Sequence, residues 1–177
     1  MMIGPQEQVN SWPSEEEALR LAGEGNLEAQ LYLGWAYDRH GSLEYNAGRA
    51  LLWLRRAVEA GSIEAKRRLC RFLYDQGQAE TAKLASELVD NGDFFGNYIM
   101  GHLLAHGDCG VVKDVPSALQ HFDKAVEQGH LISKIDRLRF GSRWGWYNPF
   151  ALIPAIGYGV QVALLSFRNP RDPAVFR

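Results

Sequence analysis

Several features that would point directly to a function are missing from this 177-residue chain. It contains only two cysteines, Cys70 and Cys109, so a disulfide scaffold is not indicated. The formal net charge is −2, which argues against nucleic acid as a partner. Residues 1–13 lack the basic region and apolar run of a secretory signal. The simplest interpretation is a reducing, cytoplasmic setting for most of the chain.

The motifs of common enzymes are missing too. The sequence has no phosphate loop, HExxH motif, nucleophile elbow or dinucleotide-binding glycine motif. We therefore expect no catalytic residues and no cofactor. One group of residues has side chains that can bind a metal ion: His102 and His106 are one helical turn apart, and Cys109 follows them. It lacks a clear fourth ligand, so we expect no metal and treat a zinc site as the alternative.

Glycine is abundant and regularly placed. Gly25, Gly61, Gly92 and Gly129 recur at intervals of about 31 to 37 residues, each after a segment of helical periodicity. A period of this length is typical of a solenoid, in which helical pairs stack because no pair can bury its apolar face alone. The predicted helices cover residues 14–22, 27–40, 46–60, 63–76, 78–90, 94–106, 115–128 and 131–140.

Small residues recur at two matching positions of these helices, where we expect the backbones to approach closely. The first set is Ala29, Ala65, Gly96 and Ser133, and the second is Gly34, Cys70 and Gly101. We expect Cys70 to be a small buried apolar residue rather than a reactive thiol.

These residues resemble the Sel1-like repeat, a relative of the tetratricopeptide repeat. The pattern A-x3-LG-x2-Y-x3-G, followed by A-x6-A-x3-G, is carried in the first unit by Ala29, Leu33, Gly34, Tyr37, Gly41, Ala50, Ala57 and Gly61. The third unit carries it at Gly96, Met100, Gly101, Gly107, Asp114, Ala118, Ala125 and Gly129, and the second is degenerate. The resemblance covers about residues 15–140. It implies an all-α, right-handed helical-pair solenoid of about three repeats. It also implies a function like that of adaptors that assemble or regulate complexes, often at membranes.

The core pattern leaves one face of each first helix free, and this face is the candidate groove for a protein or peptide. Tryptophan, tyrosine and arginine are the residue types that most often anchor interfaces. The alternatives are a solvated face or, for Trp35 above all, the core. The expected groove residues are Tyr32, Trp35, Arg39, Arg68, Arg71, Ile99 and His102, with Glu28, Glu64, Asp75, Phe95 and His106 beside them.

The last part of the chain is of another kind. Residues 149–167 carry no charge over 19 positions, about the length that crosses a hydrocarbon core. Aromatic residues precede this stretch and arginines flank it, although Pro154, Gly157 and Gln161 weaken its centre. The alternative is a hydrophobic cap on the last repeat. The predicted membrane-facing residues are Trp146, Phe150, Leu152, Ile153, Ile156, Val160, Leu164 and Leu165.

Together these features predict three regions: a flexible lead-in at 1–13, a repeat domain at 14–140, and an apolar tail at 141–177 that is a membrane anchor or a cap. The expected function is a non-catalytic scaffold for a protein partner, associated with the bilayer through residues 149–167. Basic residues before the tail slightly outnumber those after it, which favours repeats in the cytoplasm. A soluble cytoplasmic adaptor is the alternative, with a metal-binding protein or an enzyme a more distant one.

Overall fold

The computed structural model describes residues 14–39 and 41–141, and every secondary-structure element in this part of the chain is a helix. The described residues divide into two compact units, one up to residue 72 and one from residue 73, and the division falls inside a helix. The helices are α1 (Glu15–Gly23), α2 (Leu27–Ala36), α3 (Ala47–Glu59), α4 (Ile63–Asp75), α5 (Glu80–Asp90), α6 (Phe94–His106), α7 (Val115–Glu127) and α8 (Leu131–Gly141).

Glycine and a polar cap separate successive helical pairs. Gly25, Gly61 and Gly92 all have positive φ. This backbone conformation ends a helix, and glycine adopts it with little strain because it has no Cβ. The next residue caps the following helix: the Asn26 side chain accepts from the Ala29 N–H (2.9 Å) and Ser62 Oγ from the Ala65 N–H (3.1 Å). Asp93 does the same for the Phe95 N–H at 2.9 Å. The glycine period of the sequence is therefore a period of helix ends and helix starts.

Two predicted helix boundaries differ from the structure by more than one residue. The helix expected at 27–40 ends at Ala36, because the connecting loop folds back and uses the carbonyls of its last turn. The Leu43 N–H donates to the Ala36 oxygen, and the Asn46 N–H to the Tyr37 oxygen, both at 2.9 Å. The helix expected from residue 78 begins at Glu80, after Gly77 with its positive φ.

The first unit packs α2 against both α1 and α3. A network of polar side chains joins α1, the end of α2 and α3: the Tyr37 hydroxyl donates to the Glu15 carboxylate, and Arg49 Nη1 lies 3.1 Å from the same hydroxyl. The apolar core contains Ala18, Ala22, Ala29, Leu33, Ala36, Tyr37, Ala50, Trp53, Leu54, Ala57, Ala65, Leu69, Cys70 and Phe72. Cys70 is buried, as expected.

The second unit packs α6 between α5 and α7, and α8 against α7. Its small residues lie where helices approach most closely. A Cβ on Gly101 would lie 2.6 Å from the Phe122 ring, and a Cβ on Gly96 would lie 2.5 Å from the Val89 backbone nitrogen. All four residues of the first predicted set, and the three of the second, are buried.

The described residues contain no helix that is both long enough and apolar enough to cross a bilayer. The predicted apolar tail, with Trp146, Phe150, Leu152, Ile153, Ile156, Val160, Leu164 and Leu165, lies outside the described residues, as does the lead-in at 1–13. The tail therefore stays a prediction.

We predict that Gly96→Ala lowers the free energy of unfolding by about 1–3 kcal/mol, because backbone atoms of α5 cannot move away from the new methyl group. Gly48→Ala is the matched control: Gly48 is exposed on α3, and its added Cβ meets nothing closer than 3.6 Å. That variant should change the free energy by less than about 1 kcal/mol. Urea unfolding followed by circular dichroism measures both, and equal effects would contradict the close approach.

Candidate partner-binding surface

The outer face of α2 exposes an aromatic pair in the first unit. Trp35 is 41% exposed, so the alternative that it belongs to the core is wrong. The ring of the half-buried Tyr32 lies 6.0 Å from the Trp35 ring, and its hydroxyl lies 3.3 Å from Ser42 Oγ. The pair is therefore held in place at the surface rather than buried, as an anchor for a partner must be.

Arg39 continues this surface beyond the end of α2. Its side chain is exposed, and its guanidinium carbon lies 5.9 Å from the centre of the Tyr45 ring. Tyr45 is itself one of the exposed large apolar residues of the unit. Arginine over an aromatic ring keeps its charge available while its stem is packed.

One arginine of α4, Arg68, contacts α2. Arg68 Nε donates to Glu64 Oε1 at 2.8 Å, and its Nη1 lies 3.4 Å from the carbonyl oxygen of Leu31. Leu31 precedes Trp35 by one helical turn, so Arg68 lies beside the aromatic face of α2. Arg71 follows Arg68 by three residues and shares its face of α4. The structure thus brings Tyr32, Trp35 and Arg68 to one side of the first unit.

The second unit does not repeat this surface. Ile99 is only 1% exposed and Phe95 is fully buried, so the prediction that these residues line an exposed groove is wrong. α6 packs between α5 and α7, just as α2 packs against α1 and α3. Ile99 and Tyr32 occupy equivalent repeat positions, yet one is core and the other reaches solvent.

His102 is also more structural than predicted. Its side chain is 12% exposed, and its Nε2 lies 3.1 Å from Asp136 Oδ2 of α8, whose side chain is 8% exposed. Aromatic rings surround it, those of Tyr98 at 4.7 Å, Phe122 at 5.3 Å, Phe140 at 6.1 Å and Tyr74 at 6.3 Å between centroids. His102 therefore joins α6 to α8 through a nearly buried polar contact.

The alternative zinc set does not form a metal site in the structure. The His106 ring stacks on His102 at 6.0 Å, but Cys109 lies in the loop after α6 with a φ of 53°. Within residues 14–39 and 41–141, no group of three or more histidine, cysteine or acidic side chains is arranged to hold a metal ion. Burial, followed by the neighbouring His102, lowers the pKa of His106.

Sequence inspection missed a buried histidine, His130, just before α8. Its Nδ1 lies 2.8 Å from Ser133 Oγ, and its ring stacks on Phe94 at 5.2 Å. Burial lowers its pKa to about 4. The sequence feature that points to His130 is its position after Gly129, because the equivalent position in the other repeats holds a polar cap residue.

Comparisons with known proteins agree with this architecture. The family model of the Sel1 repeat matches residues 27–62 and 95–130, and the segment between them is the repeat that the sequence indicates to be degenerate. A search of curated proteins finds no match. These matches, with the structural similarities that follow, confirm the all-α helical-pair solenoid class.

Two solved structures are similar in fold. A Sel1 repeat protein from Oxalobacter formigenes has a TM-score of 0.62 at 18% identity, with 81% of this chain and 60% of that one covered. A protective antigen of uropathogenic Escherichia coli strains, which displays an SLR fold, has a TM-score of 0.60 at 23% identity, covering 70% of this chain. This chain spans 60% and 27% of their respective lengths.

We predict that Trp35→Ala lowers the free energy of unfolding by no more than about 1 kcal/mol, because the indole is largely at the surface. Ile99→Ala should lower it by about 2–5 kcal/mol, since it leaves a cavity between helices. Urea unfolding of the two full-length variants tests this. A similar loss in both would mean that Trp35 is structural and that the aromatic pair is not a docking surface.

Proposed function

Because this chain is a Sel1-repeat protein, and such proteins generally serve as protein-protein interaction scaffolds, we propose that it binds a protein or peptide through the surface formed by Tyr32, Trp35, Arg39, Arg68 and Arg71. We call these five residues the α2/α4 surface. The observation that carries the proposal is the exposed Trp35 beside Tyr32, one helical turn from the carbonyl that Arg68 contacts.

The composition of the α2/α4 surface supports this role. Tryptophan, tyrosine and arginine supply large contact areas and directional hydrogen bonds, and they dominate binding energy at protein interfaces. Trp35 would contribute apolar area, and the arginines would contribute charge at its edge. Glu64 and the Leu31 carbonyl hold the Arg68 guanidinium, so less side-chain freedom is lost when a partner binds.

The role we propose is not catalytic. Sel1-repeat proteins are typically interaction scaffolds, and the sequence brings no acid, base and nucleophile into one motif. The distant alternative, a metal-binding or enzymatic protein, predicts a different result. Elemental analysis of the purified full chain that finds zinc at one equivalent would favour it over the scaffold.

We also propose that residues 149–167 associate with a membrane and leave the repeats in the cytoplasm. The support is the length of the uncharged stretch and the arginines at both ends. The competing proposal is a soluble adaptor in which this stretch caps the last repeat. The two differ in one measurable property, which is retention in alkali-washed membranes.

For the α2/α4 surface, we predict that Trp35→Ala combined with Arg68→Ala reduces partner recovery at least about tenfold, since two anchors are lost. The bait is the tagged full chain, and quantitative mass spectrometry compares it with the variant. Leu52→Ala is the matched control, because Leu52 is also exposed but lies on α3. If the control loses the same partners, or the double variant keeps them, the proposal is wrong.

For the tail, we predict that the full chain stays in membranes washed with alkaline carbonate and that Val160→Asp with Leu164→Asp releases it. Each aspartate at the centre of a span costs about 3 kcal/mol. The control places the same two charges outside the stretch, at Ala174 and Val175, and should stay bound. A wild-type chain that is soluble from the start would favour the cap instead.

A further inference from the structure

The residue before each first helix of a pair has a common role, and His130 departs from it. Asn26, Ser62 and Asp93 each follow a glycine of positive φ and accept a backbone N–H of the helix that begins there. His130 follows Gly129, which also has positive φ, and precedes α8. Its Nδ1 contacts the Ser133 hydroxyl instead of a backbone N–H. Among these four helix starts, His130 is the one cap residue whose side chain has an ordinary pKa near neutrality.

The surroundings of His130 suit a neutral ring and oppose a charged one. The side chain is 1% exposed, with Phe94 stacked on it and the Tyr98 ring edge-on at 4.6 Å. Its Nε2 is buried and has no hydrogen-bond partner within the described part of the chain. Protonation would place a second N–H and a full charge in this aromatic site, where neither is solvated.

The charged groups around His130 come from two helices and oppose each other. Asp136 of α8 favours the protonated ring, and His102 of α6 disfavours it. The Asp136 carboxylate already contacts His102 at 3.1 Å, so its charge is shared between the two rings. From α7 the contact is the Ala125 carbonyl, which accepts the His130 backbone N–H at 2.9 Å. Burial outweighs the attraction to Asp136 and keeps the pKa of His130 low, at about 4.

We propose that His130 makes the docking of α8 sensitive to acid: the imidazole stays neutral while α8 is packed on α7, and takes up a proton when α8 detaches. This is a property of the second unit and does not depend on the α2/α4 surface.

The direction of the effect follows from the two pKa values of His130. Above pH 6.5 the ring is neutral in both the docked and the detached form, so acid has no effect. Between 6.5 and about 4 only the detached form binds the proton, so detachment becomes more favourable as the pH falls. From pH 7 to pH 5 the equilibrium constant for detachment should rise about 20-fold.

Amide hydrogen exchange of the full chain, followed by mass spectrometry at pH 7 and pH 5, measures this constant for residues 131–141. After correction for intrinsic exchange rates, opening of α8 should increase about 20-fold, while α3 in the other unit shows no such change. His130→Asn installs the type of cap found at Asn26 and should remove most of the increase. His121→Asn is the control, because His121 is a half-buried histidine of α7 whose pKa burial also lowers.

Two results would overturn the proposal. One is equal protection of α8 at both pH values in the wild-type chain, and the other is an undiminished increase in the His130→Asn variant with an unchanged circular dichroism spectrum. An independent measurement is the NMR titration of the histidine C2 protons in the wild-type chain. The proposal expects His130 to titrate near pH 4 in the folded protein, and titration near pH 6.5 would contradict it even if the variant failed to fold.

Discussion

Close contact between helix backbones, made possible by small residues, is the constraint on which the rest of this structure depends. In the first unit Gly34 faces Leu54 of α3, and in the second Gly101 faces the Phe122 ring of α7. A larger side chain at either glycine would separate the two helices of a pair and expose the residues between them. The repeat is therefore defined more by its glycines and other small residues than by its large apolar residues.

Equivalent positions in two such pairs serve different purposes. The residue of α6 that is equivalent to Tyr32 of α2 is Ile99. The helix face that is exposed on α2 is therefore buried in the core on α6. α2 packs against α1 and α3 as α6 packs against α5 and α7, yet only α2 leaves this face open beside the exposed Trp35. A common scaffold thus supports a local site, which is how repeat folds acquire different partners.

The second unit uses its polar residues to attach its last helix. His102, Asp136 and His130 lie in or beside an aromatic cluster, and they connect α6 with α8. Buried polar groups of this kind specify one arrangement when all are hydrogen-bonded, and they penalise the packed state when one changes charge. The unpartnered Nε2 of His130 is the point at which this network is incomplete.

Local signals were sufficient to predict the helices. Ser14 caps α1 by accepting the Glu17 N–H, and the helix predicted at 94–106 is α6 with the same bounds. Capping, glycine with positive φ and apolar periodicity all act within a turn or two of chain, so the residues that cause them are adjacent in sequence. The early end of α2 escaped prediction because its last carbonyls are taken by a loop some residues away.

Sequence pattern alone therefore established the helical class, the repeat and the close-packed positions of this chain. Which helix faces stay exposed was decided only by the tertiary structure. Trp35 at the surface, Ile99 in the core and His130 between Phe94 and Tyr98 all depend on which distant segment covers them. Burial is a relation between segments far apart in sequence, and a periodic pattern within one helix carries no information about what lies on its other side.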